Sequence, residues 1–208
     1  MYLPLRHLPL CEALSWAVSR ALISQWVVLL NVGCWQRADP VEFPEGLEPL
    51  EASTAPAPEG EDHPEEIIVV TGESEDYSWA HGRAYVHADL ETTWEALRDV
   101  EVNLDRRKVD SYTVEYDVDP DFEYAYRIHN VVHDVITVEF DVDWRHGLAG
   151  ASEGEDLVAI RFAKTEGTTF IRLLEGSLLV WEAASGVCEM ELVEHLDAAD
   201  GNGDQSGN

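Results

Sequence analysis

Residues 136–144 read ITVEFDVDW, and their alternation decides the architecture. Val138, Phe140, Val142 and Trp144 fall on one side of a chain of period two, and Thr137, Glu139, Asp141 and Asp143 fall on the other. A helix would scatter both sets around its axis, so this is a strand with one apolar and one polar face. Residues 112–119, YTVEYDVD, repeat the pattern, with Tyr112, Val114, Tyr116 and Val118 facing one way.

Further strand candidates follow: YAYRIHNVV (124–132), LVAIRFAK (157–164), TFIRLL (169–174), SLLVWEA (177–183) and VCEMELVEHL (187–196). The turn-prone pieces DPDF, RHGLAGASEGED, KTEGT, EGS and AASG separate them. Connections this short join antiparallel neighbours, because a parallel pairing needs a long crossover. Upstream, Gly82–Ala88 reads as a strand and Asp89 as the N-cap of a short helix with Leu90, Trp94 and Leu97 on one face. The expected class is α+β, a curved antiparallel sheet of about six or seven strands with a short helix after the first.

The stretch YVHADLETTWEALRDV (85–100), the strands just quoted and the terminal CEMELVEHLDA together resemble the START/Bet v 1-type superfamily, also called SRPBCC proteins, over residues 78–198. The resemblance implies a helix-grip fold, in which the sheet wraps a long C-terminal helix and a hydrophobic ligand lies between them. Members bind lipids, sterols and polyketides, and some act as cyclases. The implied pocket is lined by Tyr112, Val114, Tyr116, Val138, Phe140, Val142 and Trp144. The chain departs from this pattern after His195, where LDAADGNGDQSGN is too rich in Gly, Asp and Asn for a long helix. A second short helix after Val100 is not evident either. An incomplete helix-grip with an uncovered apolar face is expected, and such a face invites self-association.

Charge sets the other bounds. The chain has 42 Asp and Glu against 13 Lys and Arg, a formal net charge of −29, which repels phosphate backbones and excludes nucleic acid as a partner. Residues 39–76 contain no Lys or Arg, 13 acids and six of the nine prolines, and read as an extended tether. The leader is basic instead, with Arg6, Arg20 and Arg37 against Glu12. Between Arg20 and Arg37 lie ALISQWVVLLNVGCWQ, too short to span a bilayer comfortably and the length of a signal-peptide core. Basic start, short apolar run, Gly33 and then Cys34 resemble a bacterial lipoprotein signal, although Asn31 stands where leucine is usual. The expected organisation is a leader over 1–33, an acidic tether over 34–76, the folded domain over 77–197 and a disordered tail over 198–208. Cys34 is then the lipid-attachment point, and the protein sits in the cell envelope, anchored to the membrane.

Chemistry-bearing motifs are few. His129 and His133 lie in a strand pattern without the glutamate of a zinc helix, and Phe122 and Gln205 stand where the calcium-loop glycine belongs. No GxSxG elbow, reactive cysteine context or phosphate-binding glycine loop is present. No metal or cofactor is expected. Three function classes remain: a lipid-anchored binding module for a hydrophobic small molecule or lipid, a structural protein using the sheet face, and a cyclase- or hydrolase-like enzyme.

Overall fold

The computed structural model describes residues 41–104, 107–133, 136–150 and 156–199; the leader, Cys34 and the tail 200–208 lie outside them. The elements are β1 (Ile67–Glu73), β2 (Ser78–Val86), α1 (Leu90–Leu97), α2 (Val100–Asn103), β3 (Ser111–Tyr116), β4 (Tyr124–His133), β5 (Thr137–Gly150), β6 (Asp156–Gly167), β7 (Ile171–Ala184) and β8 (Val187–Ala198). All eight strands form one antiparallel sheet in the order β1-β2-β8-β7-β6-β5-β4-β3. Hairpins from β3 to β8 make a meander, and the last strand pairs with β2, with Gly82 opposite Leu192.

The mostly-sheet α+β class is the expected one, with more strands than the alternation suggests. Ile67–Glu73 adds an edge strand from within the presumed tether. TFIRLL and SLLVWEA merge into β7, because EGS stays in the ladder, with Gly176 paired to Phe162 and Glu194. A second helix does form. Asp99 caps α2 by accepting from the Glu101 N–H at 3.0 Å, and Asn103 Nδ2 donates to the Leu97 carbonyl at 2.7 Å. Asp89 caps α1 as expected, accepting from the Thr92 N–H at 2.8 Å.

Both helices lie on one side, called here the helix face. Trp94 and Leu97 pack on Val158, Ile160, Leu178, Val180 and Cys188, and Val100 packs on Tyr126 and Ile128. The opposite, outer face is covered by residues 41–58, which corrects the tether reading. Leu47 is 1% exposed against Ala149, Leu157 and Ala159, with Val41, Phe43, Leu179 and Trp181 around it. A glycine makes the seat: a Cβ on Gly147 would stand 2.6 Å from Leu47 Cδ1. Polar bonds hold the rest of the segment down, including Leu50 N–H to Ser177 Oγ and Arg161 Nη1 to the Glu48 carbonyl. Proline and acid density removes regular structure but leaves enough apolar anchors to lay the segment on a sheet, so it is a strap.

The apolar side of β5 is core. Val138, Phe140 and Val142 are 6%, 9% and 5% exposed, whereas Glu139 is exposed. Phe140→Asp should therefore abolish cooperative unfolding, because it combines the roughly 3–5 kcal/mol of a lost phenyl with a buried charge. Glu139→Lys should shift stability by less than about 0.5 kcal/mol. Urea titrations of both variants check the assignment, and the reverse ranking would overturn it.

Candidate ligand-binding face

Strand register assembles a transverse row on the helix face. Tyr116 pairs with Tyr126, Tyr126 with Trp144, Trp144 with Phe162, Phe162 with Gly176, Gly176 with Glu194 and Glu194 with Ala80. Ring centroids along it are 6.3, 6.0 and 4.5 Å apart, and Tyr126, Trp144 and Phe162 are stacked. This aromatic shelf leans over a glycine, since a Cβ on Gly176 would lie 2.0 Å from Phe162 Cζ. Beyond the glycine stands the carboxyl of Glu194.

The seven expected pocket residues divide between two clusters. Val138, Phe140 and Val142 pack with Phe162, while Tyr112 and Val114 lie half-buried beside Tyr126, Ile128 and Val100. Trp144 is half-buried and touches both groups. Tyr116 is 55% exposed near the β3 edge. Under α2, Asn103 Nδ2 donates to the Tyr126 hydroxyl at 2.8 Å, and burial raises the Tyr126 pKa. The Tyr112 hydroxyl donates to the Glu101 carboxylate.

Next to this packed region lies a more open strip. Leu174, Met190 and Leu192 are half-buried and Leu196 is 38% exposed, all on the helix face beside Glu194. Met190 and Leu192 pack against the cluster that holds Trp94 and Leu97 of α1, and Leu174 and Leu192 against the one that holds Phe162. A separate cavity of about 660 Å³ opens at the N-terminal end of α1. Leu90, Trp94 and Leu148 line it together with Asp89, Asp156 and Glu182.

Sequence reasoning missed Glu194, treating the strand acids as a solvated face. The signal was present in VCEMELVEHL: Cys188, Met190 and Leu192 share a side, and Glu194 continues it as the one acid on that side of β8. Asp143 lies on the face that the alternation gives it, yet it is buried. On that outer face it is 5% exposed and takes Arg127 Nε and Nη2 at 2.6 and 2.9 Å. That hydrogen-bonded pair raises the Arg127 pKa.

The outer face gathers a polar cluster where the strap crosses it. Glu51 Oε1 lies 3.0 Å from His81 Nε2 and 3.3 Å from His195 Nε2, and Glu175 Oε1 lies 3.5 Å from His195 Nδ1. Two imidazoles and a carboxylate invite a metal reading, but the Thr54 backbone N–H donates to His81 Nδ1 at 2.9 Å. That bond puts the proton of neutral His81 on Nε2, where it is donated to Glu51 and leaves no lone pair for an ion. Burial raises the Glu51 pKa, and the bonds from His195 and His81 outweigh it, so the carboxyl titrates below its usual value. The cluster is a clasp for the strap. Among the described residues no group of three or more His, Cys, Asp or Glu is arranged to hold a metal ion. Nor is any described helix long and apolar enough to cross a membrane.

No protein-family model and no curated protein matches the chain. Solved structures resembling it include the human StarD13 (DLC2) lipid transfer and protein localization domain, with a TM-score of 0.48 and 11% identity, over 64% of this chain and 71% of that one. A STAR-related lipid transfer protein fragment from Xanthomonas axonopodis gives a TM-score of 0.43 and 14% identity, over 64% of this chain and 77% of that one. Both likenesses are distant.

Proposed function

We propose that this chain is a lipid-anchored, non-catalytic module that binds a hydrophobic small molecule or lipid on the helix face of its sheet. The supporting observation is the strip of Leu174, Met190, Leu192 and Leu196, apolar and accessible beside a packed aromatic shelf. Accessible apolar surface of this kind is favourably removed from water by an apolar ligand at roughly 25 cal/mol per Å². A neutral dye such as Nile red suits the test, because a net charge of −29 repels anionic probes. Saturable binding that is lost in Leu192→Asp but retained in Glu139→Lys is the expected result. Absence of saturable binding by the folded wild-type chain would overturn the reading.

The anchor is Cys34, placed after the short apolar run and Gly33. Lipidation of the thiol and cleavage before it would tie the domain to the cell envelope through residues 35–40 and the strap. In a bacterial host that exports the protein, the mature chain should start at Cys34 with added acyl mass. Cys34→Ser should move the protein from the membrane to the soluble fraction. A serine variant that stays membrane-bound at full length would show an uncleaved anchor instead.

A further inference from the structure

We propose that Glu194 is the polar contact of this ligand site and that it selects an apolar molecule ending in a hydroxyl group. The inference rests on the binding function proposed above and adds the chemistry of the ligand's head. Strand β8 puts Cys188, Met190, Leu192, Glu194 and Leu196 on the helix face, so Glu194 interrupts an otherwise apolar row. Its lateral neighbours are Ala80 on β2 and Gly176 on β7. Ala80 is buried and the Phe162 ring lies over Gly176, so both flanks of the carboxyl are apolar and neither offers it a hydrogen-bonding side chain. Leu192 and Leu196 stand before and after it on its own strand, and Leu174 is diagonal to it on β7.

Within the described residues the Glu194 carboxyl makes no hydrogen bond or ion pair. Burial raises its pKa, and the Lys108 ammonium, from the connection between α2 and β3, opposes that only in part. Burial favours the protonated carboxyl, which has one O–H to donate and a carbonyl oxygen to accept with, and an alcohol complements both; the ionised form still accepts from the alcohol's O–H. An alkyl chain alone would leave both groups unpaired in an apolar setting, which is costly. An ammonium head would face Lys108 at the same place. The open strip then takes the hydrocarbon, and Glu194 takes the hydroxyl.

Displacement of Nile red from the full chain by 1-decanol, decyl methyl ether and decylamine tests this. The ether keeps the oxygen acceptor but has no proton to donate. Wild type should prefer decanol to the ether by roughly tenfold, the size expected for one hydrogen bond to a buried group. Glu194→Leu should bring the decanol-to-ether ratio close to one. Glu194→Gln, whose amide both donates and accepts, should keep most of the preference, and covers the case in which the leucine variant does not fold. An unchanged ratio in a folded Glu194→Leu variant would overturn the inference while leaving apolar binding in place. So would decylamine as the best competitor. Wild type that binds neither dye nor alcohol would instead remove the binding function itself.

Discussion

Between pH 6.5 and about pH 3 the domain is expected to lose on the order of 5 kcal/mol of stability through one side chain, His146. His146 lies on β5 with no exposed surface, its ring 5.4 Å from that of Tyr124 and 5.7 Å from that of Tyr126. Among the described residues neither ring nitrogen has a hydrogen-bond partner. Burial, and secondarily the Arg98 guanidinium, push its pKa down from 6.5 to about 3. The folded value is the depressed one, so the fold binds the proton less readily than the unfolded chain. The stability is therefore fully present above 6.5 and is lost as the pH falls towards 3, at about 1.4 kcal/mol per pH unit. A loss of this size is a large share of the roughly 5–15 kcal/mol that holds a domain together.

His146→Leu and His146→Phe isolate the effect. Each removes two unpaired nitrogens, so neither variant loses a hydrogen bond, and both should be at least as stable as wild type at pH 7. Urea unfolding at pH 7, 5.5 and 4 should show wild type weakening steeply and the variants much less. Parallel pH profiles for all three proteins would mean that the acid sensitivity lies elsewhere, with the Glu51 clasp, whose carboxyl titrates below its usual value, the next group to examine.

The parts of this fold that the sequence makes legible are those where one side chain's face is enough to know. Val138, Phe140, Val142 and Trp144 announce their face by alternation, and Asp89 announces α1 because a cap is a local hydrogen bond. What alternation cannot say is what covers a face. Asp143 sits on the polar side of β5 yet is buried, because Arg127 from the neighbouring strand and Thr165 at 3.4 Å close over it. Helix α2 has four residues, too few for a periodic signal, and its partners are non-local: Val100 packs on Tyr126 and Ile128. The strap is hidden for a related reason: its few anchors, Leu47, Ala55 and Pro58, are spread among acids and prolines that by composition signal solvent. Glu194 was readable in principle, since one acid in an apolar register is visible in the sequence alone. That no side chain bonds its carboxyl becomes visible only once Ala80 and Gly176 are known to flank it.

The largest structural effect should come from removing that strap together with β1. A chain starting at residue 77 keeps α1, α2 and seven strands, the part that composition marks as the folded domain, and it is expected not to fold cooperatively. Ala149, Leu157 and Ala159 on the outer face would lose Leu47 as their cover, and β2 would lose its ladder partner from Ile67 to Glu73. His81 would lose both of its bonds, to Thr54 and to Glu51, at a site where it is 3% exposed. Leu47→Ala alone should cost about 2–5 kcal/mol, the range for a fully buried leucine. The whole segment contributes several such anchors against a total of roughly 5–15 kcal/mol. Thermal unfolding and sedimentation of chains starting at residues 39 and 77 make the comparison. The longer chain should give a sharp transition and a single species, and the shorter one a broad transition or aggregates. Adding a synthetic peptide of residues 39–74 should restore part of the sharp transition, because the strap and β1 act through non-covalent contacts alone. A 77–208 chain as stable as the longer one, and monomeric, would show that the outer face does not need residues 41–73, and the strap would then be a surface decoration of a sheet held together from its helix side.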